Sequence, residues 1–255
     1  EKIMLRETII EADKLLNKFD LETVVVYPSE ENHCCISCKT NDDIVYVYAE
    51  NKKSGYDTQM FGLRNWSSMH SIISSFYNAD DDMSMKMKIE SDADNYPVLI
   101  KISSGRLKMS YFLQNYSFIS NQSELKESFE KRKFRLGKNI ESNCDNLDES
   151  IVKDICKLSA LTNEKYFRIG HNENGNYIYF GDENQSVDNG KIDIEDVGGI
   201  NIWKDDMYFS VEYFSAMYRS LTDCNLTVKF APTQIIMIGE NDNVVKVGAI
   251  RGKAL

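Results

Sequence analysis

The most reactive side chains lie in one six-residue run, His33-Cys34-Cys35-Ile36-Ser37-Cys38. Thiols and an imidazole at this density are the raw material of a zinc site, which takes four ligands, usually as two pairs brought together by the fold. The chain has six cysteines, at 34, 35, 38, 144, 156 and 224, and three histidines, at 33, 70 and 171. No second CxxC and no HxxxH accompanies the cluster. Its alternation reads instead as a strand, with Cys34, Ile36 and Cys38 on one face and Cys35 and Ser37 on the other. Cys156 in a helical stretch and Cys224 at a strand start read as free thiols of a reducing compartment.

Catalytic patterns are equally lacking. None of the histidines stands in a Ser/His/Asp or paired-carboxylate arrangement. GENDN and VGG are turn chemistry rather than a phosphate-cradling glycine loop, and DADN and DENQSVDNG lack the full spacing of a calcium loop. The expectation is a protein that is not an enzyme and carries no metal and no cofactor.

What remains is scattered cations and small hydroxyls. Wound as a helix, FGLRNWSSMHSIISSF places Arg64, Ser67, Ser68, Ser71, Ser74 and Ser75 opposite Trp66 and Ile73. Lys153 and Lys157 stand one turn apart, opposite Ile151 and Leu158. VEYFSAMYRSLT sets Ser215, Arg219 and Thr222 opposite Met217. The N-terminal stretch exposes Lys14 and Lys18, with Glu7 and Glu11 on the same side. Such faces touch phosphates directly or through water without reading bases. They are too sparse for tight static binding, because affinity grows with the number of phosphates neutralised. Ordinary solvated helix faces are the alternative reading.

These side chains need helices to hold them, and the chain has room. Its 255 residues, 42% hydrophobic and 27% charged, suit a globular protein, either one large domain or two of about 125 residues. A net charge of −10 argues against indiscriminate adhesion to nucleic acid while allowing a local basic surface. No apolar run approaches the roughly 20 residues of a membrane-spanning helix, and EKIMLRETII lacks the basic-then-apolar layout of a secretion signal.

KIMLRETIIEADKLLNKF puts Leu5, Ile9, Ala12, Leu16 and Phe19 on one helical face. Three strand-like runs follow, ETVVVY, HCCISC and DIVYVYAE, then a helix over residues 63–76 whose stripe is Trp66, Met69, Ile73 and Phe76. MSMKMKI, VLIKIS and RLKMSYFL close the half, the last two joined across a Ser-Ser-Gly turn. The second half repeats the order. Asp148 caps a helix striped by Ile151, Ile155 and Leu158; KYFRIG, NYIYFG and KIDIED are strands; Phe214, Met217 and Leu221 stripe another helix; NLTVKF, TQIIMIG and VVKVGAI follow. An ordered series repeated twice points to duplication. Between the halves, residues 117–141 read as a connector, with KRKFR at 131–135 a solvated linker or edge strand. The predicted division is 1–118, a connector at 119–131, and 132–255.

This duplicated order, best developed in FGLRNWSSMHSIISSF and in YFSVEYFSAMYRSLTDCNLTVKF through VVKVGAI, resembles the sliding clamps, the DNA polymerase processivity factors. The likeness is to the trimeric clamps of tailed phages and then to proliferating cell nuclear antigen. It implies an α+β DNA-clamp fold of two similar domains, each with two helices packed on antiparallel sheet, and three chains closing a six-domain ring. It further implies sequence-independent contact with double-stranded DNA through Lys14, Lys18, Arg64, Lys153, Lys157 and Arg219. Polymerase and clamp loader would be the protein partners, docking near Phe118, Ile119, Leu125, Ala249 and Ile250 by helix-in-groove or strand addition. The setting it implies is the cytoplasm of an infected bacterial cell, with no membrane association. Two features depart from it: Glu7 and Glu11 dilute the first helix's basic face, and residues 181–206 read as an insertion. A monomeric DNA-holding factor, or a non-catalytic phage assembly protein with a duplicated fold, is the competing expectation.

Overall fold

The first apolar stripe winds into α1 (Lys2–Leu16), which buries Leu5, Ile9, Ala12 and Leu16, with Leu15 beside them. Phe19 falls beyond the helix end and is half-buried. The computed structural model describes residues 2–21, 23–78, 85–114, 142–144, 149–172, 175–181, 188–194, 207–231 and 233–254. The chain divides into two units. Unit 1 comprises Glu1–Asn41, Val47–Arg132 and Asn241–Lys246; unit 2 comprises Asp42–Tyr46, Lys133–Glu240 and Val247–Leu255.

In unit 1, α1 is followed by β1 (Val24–Pro28), β2 (His33–Lys39), β3 (Val45–Ser54) and β4 (Phe61–Leu63), with strand order β4-β1-β2-β3. Residues 34–38 of β2 are all buried, so the cysteine run is covered on both faces. The helix expected from residue 63 starts later, because Leu63 pairs with Val24 as the end of β4. Asn65, extended at φ −147 and ψ 103, then caps α2 (Trp66–Phe76) by accepting from the Ser68 amide at 3.1 Å, a cap worth about 1 kcal/mol. Trp66, Met69, Ile72 and Ile73 form the buried stripe, while Phe76 is half-buried. A second antiparallel sheet, β5 (Lys86–Ser91), β6 (Pro97–Ser104) and β7 (Leu107–Phe112), closes the half. Ser104 pairs with Leu107 around a two-residue turn, which needs Gly105 at φ 56. Because α1 packs on both β2 and β5, it joins the two sheets into one core.

Unit 2 contains β8 (Ser142–Cys144), α3 (Glu149–Thr162), β9 (Tyr166–Asn172), β10 (Gly175–Phe180), β11 (Gly190–Ile194), β12 (Met207–Ser210), α4 (Val211–Ser220), β13 (Asn225–Ala231), β14 (Gln234–Glu240), β15 (Val244–Arg251) and β16 (Lys253–Ala254). Its strands run β11-β10-β9-β12-β16 and β15-β14-β13-β8. The predicted stripe of α3 is turned: Val152 and Ile155 are buried, whereas Ile151 and Leu158 are half-buried. The predicted cap Asp148 lies outside the described residues. Helix α4 is capped by Ser210, whose hydroxyl accepts from the Tyr213 amide at 3.3 Å. Phe167 centres the core, with ring centroids of Phe180, Phe209 and Phe214 at 6.1, 5.8 and 5.3 Å; such aromatic pairs add about 1 kcal/mol each beyond their buried area. Among the described residues each unit is thus two helices on antiparallel sheets, reached in the same chain order.

Candidate nucleic-acid interface

Of the expected cations, Lys14, Lys153, Lys157 and Arg219 lie on helices, whereas Lys18 falls in the turn after α1 and Arg64 in the bend between β4 and α2, because both helices are shorter than their sequence pattern. Lys14, Lys18, Arg64, Lys153, Lys157 and Arg219 are all exposed. They differ in what holds them. Lys14 pairs with Glu11 at 2.9 Å, and Lys153 with Glu149 at 3.1 Å one helical turn away. The Arg219 guanidinium reaches the Cys156 sulfur at 3.9 Å. Lys18, Arg64 and Lys157 make no ion pair among the described residues.

Glu7 turns inward, whereas Glu11 serves both the interior and this face, because its Oε1 holds Lys14. Glu7 takes Lys53 Nζ at 3.2 Å and Asn51 Nδ2 at 3.3 Å. Glu11 accepts from Asn241 Nδ2 at 2.9 Å and from the fully buried Lys246 at 3.3 Å. A buried ammonium without a carboxylate would cost several kcal/mol, so Glu11 is fixed in place by Lys246, and its other oxygen takes Lys14 and offsets part of the charge on this face.

The serine face of α2 is exposed at Ser67, Ser68, Ser71, Ser74 and Ser75. Ser71, Ser74 and Ser75 donate to the carbonyls of Ser67, His70 and Ser71 one turn back, at 3.0, 2.9 and 2.7 Å. With the proton spent on the helix, these three hydroxyls present only lone pairs outward, so a phosphate would meet them through water. The result is a low, polar face without fixed anchors.

Sequence reasoning overlooked the histidine here. Asp13 of α1 is buried, and both its oxygens are used: Trp66 Nε1 donates to Oδ1 at 3.0 Å and His70 Nδ1 to Oδ2 at 2.8 Å. His70 and Trp66 lie on α2 and Asp13 on α1, 57 and 53 residues away, so no local motif marks the trio. Beside it a cavity of about 560 Å³ opens between the end of α1 and the start of α2, lined by Lys18, Phe19, Asp20, Arg64, Ser67 and His70 among others.

The cysteine run has a different role. Burial pushes the Cys34 and Cys38 thiols well up from their ordinary range, so both stay protonated. Cys35 reaches the Tyr48 hydroxyl at 3.4 Å; Tyr48 donates to Glu50 at 2.6 Å, and Glu50 also takes His33 Nδ1 at 2.7 Å. These groups satisfy one another inside the sheet. No cluster of three metal-ligating side chains occurs among the described residues.

Of the residues expected to meet partner peptides, Ala249 and Ile250 lie in β15 and are 3% and 0% exposed, packed into the interior. Phe118, Ile119 and Leu125 lie outside the described residues. No helix among the described residues is long and apolar enough to cross a membrane.

Two helices on antiparallel sheet, written twice in one chain with cations on the free helix faces, define the DNA-clamp class of fold. The chain has that fold. It is similar to proliferating cell nuclear antigen from Entamoeba histolytica, with a TM-score of 0.54 and 10% identity, over 98% of this chain and 95% of that one. It is also similar to the β clamp of H. pylori: TM-score 0.64 and 13% identity for the complex with 5-chloroisatin, 0.62 and 12% for the complex with diflunisal. Both β-clamp matches take in 100% of this chain but only 65% of the other, so the chain spans about two thirds of that protein's length. No family model and no curated protein matches the sequence.

Proposed function

We propose that the chain is one subunit of a sliding clamp, a non-catalytic ring that encircles duplex DNA and tethers a replicative polymerase. The observation that carries this reading is the clamp fold itself with exposed Lys18 just beyond α1, Arg64 just ahead of α2, Lys157 on α3 and Arg219 on α4, in a chain whose net charge is −10. An acidic body avoids adhering to DNA from outside, and a few weak inner cations allow sliding. Coverage of 95% of proliferating cell nuclear antigen, against 65% of the β clamp, favours the smaller, two-unit subunit and hence three copies per ring. The edge strands β7 and β11, each last in its sheet, are suited to head-to-tail pairing between copies, and a ring that closes avoids an open filament. Phe118, Ile119 and Leu125 of the connector are the proposed contacts for polymerase and loader peptides, while Ala249 and Ile250 are assigned to packing. The proposed setting is an infected bacterial cell, on the resemblance of the sequence pattern to tailed-phage clamps alone.

Topology tests the reading. Labelled protein loaded onto a nicked circle by the loader of its replisome should stay on the circle through gel filtration and leave when one restriction cut linearises it. Equal retention on circular and linear DNA, or loss on a modest rise in salt, would replace encirclement with simple electrostatic binding.

A further inference from the structure

We propose that the cavity between the end of α1 and the start of α2 seats one phosphodiester of the duplex backbone, and that His70 contacts it only when protonated. The proposal rests on the clamp reading and adds to it a contact whose strength depends on pH.

The geometry builds a histidine with one task left. The Asp13 carboxylate can only accept, so His70 Nδ1, 2.8 Å away, carries a proton. The second Asp13 oxygen is held by Trp66 at 3.0 Å, which fixes the carboxylate and through it the imidazole plane. With 43% of its side chain in solvent, His70 leaves Nε2 on the open side, and no partner for that nitrogen occurs among the described residues. Lys18 and Arg64 line the same cavity, whose volume falls within the roughly 300–1,000 Å³ of small-molecule clefts.

Among the described residues, Asp13 holds the imidazole from behind, and the charged residues that line the same cavity are Lys18, Asp20 and Arg64. Neutral His70 presents a lone pair at Nε2, which meets a phosphate oxygen lone pair to lone pair. The imidazolium presents an N–H, and the contact becomes a charge-assisted hydrogen bond. A phosphate therefore favours the protonated ring. Because binding takes up a proton, affinity must rise as pH falls. Asp13 is a positioning residue in this scheme, and His70 touches the ligand.

The test uses the full chain and a short fluorescent duplex at fixed salt, with anisotropy read at pH 8 and pH 6. Wild-type affinity should rise about threefold or more on acidification, the size of one solvent-screened ion pair. His70→Gln should abolish the rise, and His70→Lys should restore tight binding without pH dependence. In parallel, the nitrogen-15 signals of the His70 ring should move to imidazolium values when duplex is added near neutrality. The same pH rise in His70→Gln as in wild type would overturn this proposal and leave the clamp reading, which is tested on the nicked circle, untouched. Should inorganic phosphate move the His70 signals while duplex moves none of them, the assignment to a duplex phosphodiester falls; the clamp reading is decided separately, by retention on the nicked circle.

Discussion

At the scale of single residues, the cations of one face are unequal. Lys14 shares its charge with Glu11 at 2.9 Å, and that carboxylate is anchored by Lys246 and Asn241, so it cannot swing away when a phosphate arrives. Lys18, one turn on, has no such neighbour among the described residues. Lys18→Ala and Arg64→Ala should each lower the slope of log K against log salt by about 0.9, one phosphate's worth of released counterions. Lys14→Ala should lower it by clearly less. The measurement is duplex binding across a salt series, and equal slope losses at all three positions would refute the ranking. Exposure of Lys14 was legible in the sequence, because a helical period fixes which side faces water; Lys18 and Arg64 are exposed in the turn after α1 and the bend before α2, where no period applies. The pairing of side chains was not legible, since Glu11 finds Lys246 at a separation of 235 residues and Asp13 finds His70 at 57.

At the scale of elements, the packing of α4 on its sheet depends on one close approach. A Cβ built on Gly239 of β14 would lie 2.8 Å from a Leu221 methyl, 3.2 Å from Cys224 Cβ and 3.3 Å from Leu221 Cβ. Leu221 is fully buried where α4 ends, so it has little room to yield. Gly239→Ala should cost about 1–3 kcal/mol, the usual penalty of overpacking, seen as a lower midpoint in denaturant at an unchanged slope. A stability equal to wild type would mean that α4 is free to lift. Long periodic elements such as α1, α2, β2 and β15 were legible because their apolar spacing repeats. β4, β8, β12 and β16, of three, three, four and two residues, are too short to show a period and exist only by pairing. The turn of the α3 stripe toward Val152 has the same origin: Ile151 and Val152 are both apolar, and only the packed sheet chooses between them.

At the scale of the whole molecule, the exposed edges decide the assembly. β7 ends its sheet and carries Phe112 and Leu107 at 66% and 55% exposure, with Val98 also open on the neighbouring strand. An edge strand with uncovered apolar side chains is a hazard for aggregation unless something pairs with it. In the proposed ring, β11 of the next copy does so, and because the two surfaces differ, the contact must close on itself to stay finite. Light scattering should therefore give a mass near three times the 29.4 kDa chain at high concentration, falling on dilution. Phe112→Asp places a charge on that edge without touching the core, so it should yield single subunits with the wild-type melting temperature of an isolated chain. Amide exchange supplies the independent check: β7 and β11 should both be protected in the concentrated wild type, and both should lose protection in Phe112→Asp. A trimer that survives this substitution, or protection of β7 without β11, would require a ring closed through some other pair of edges.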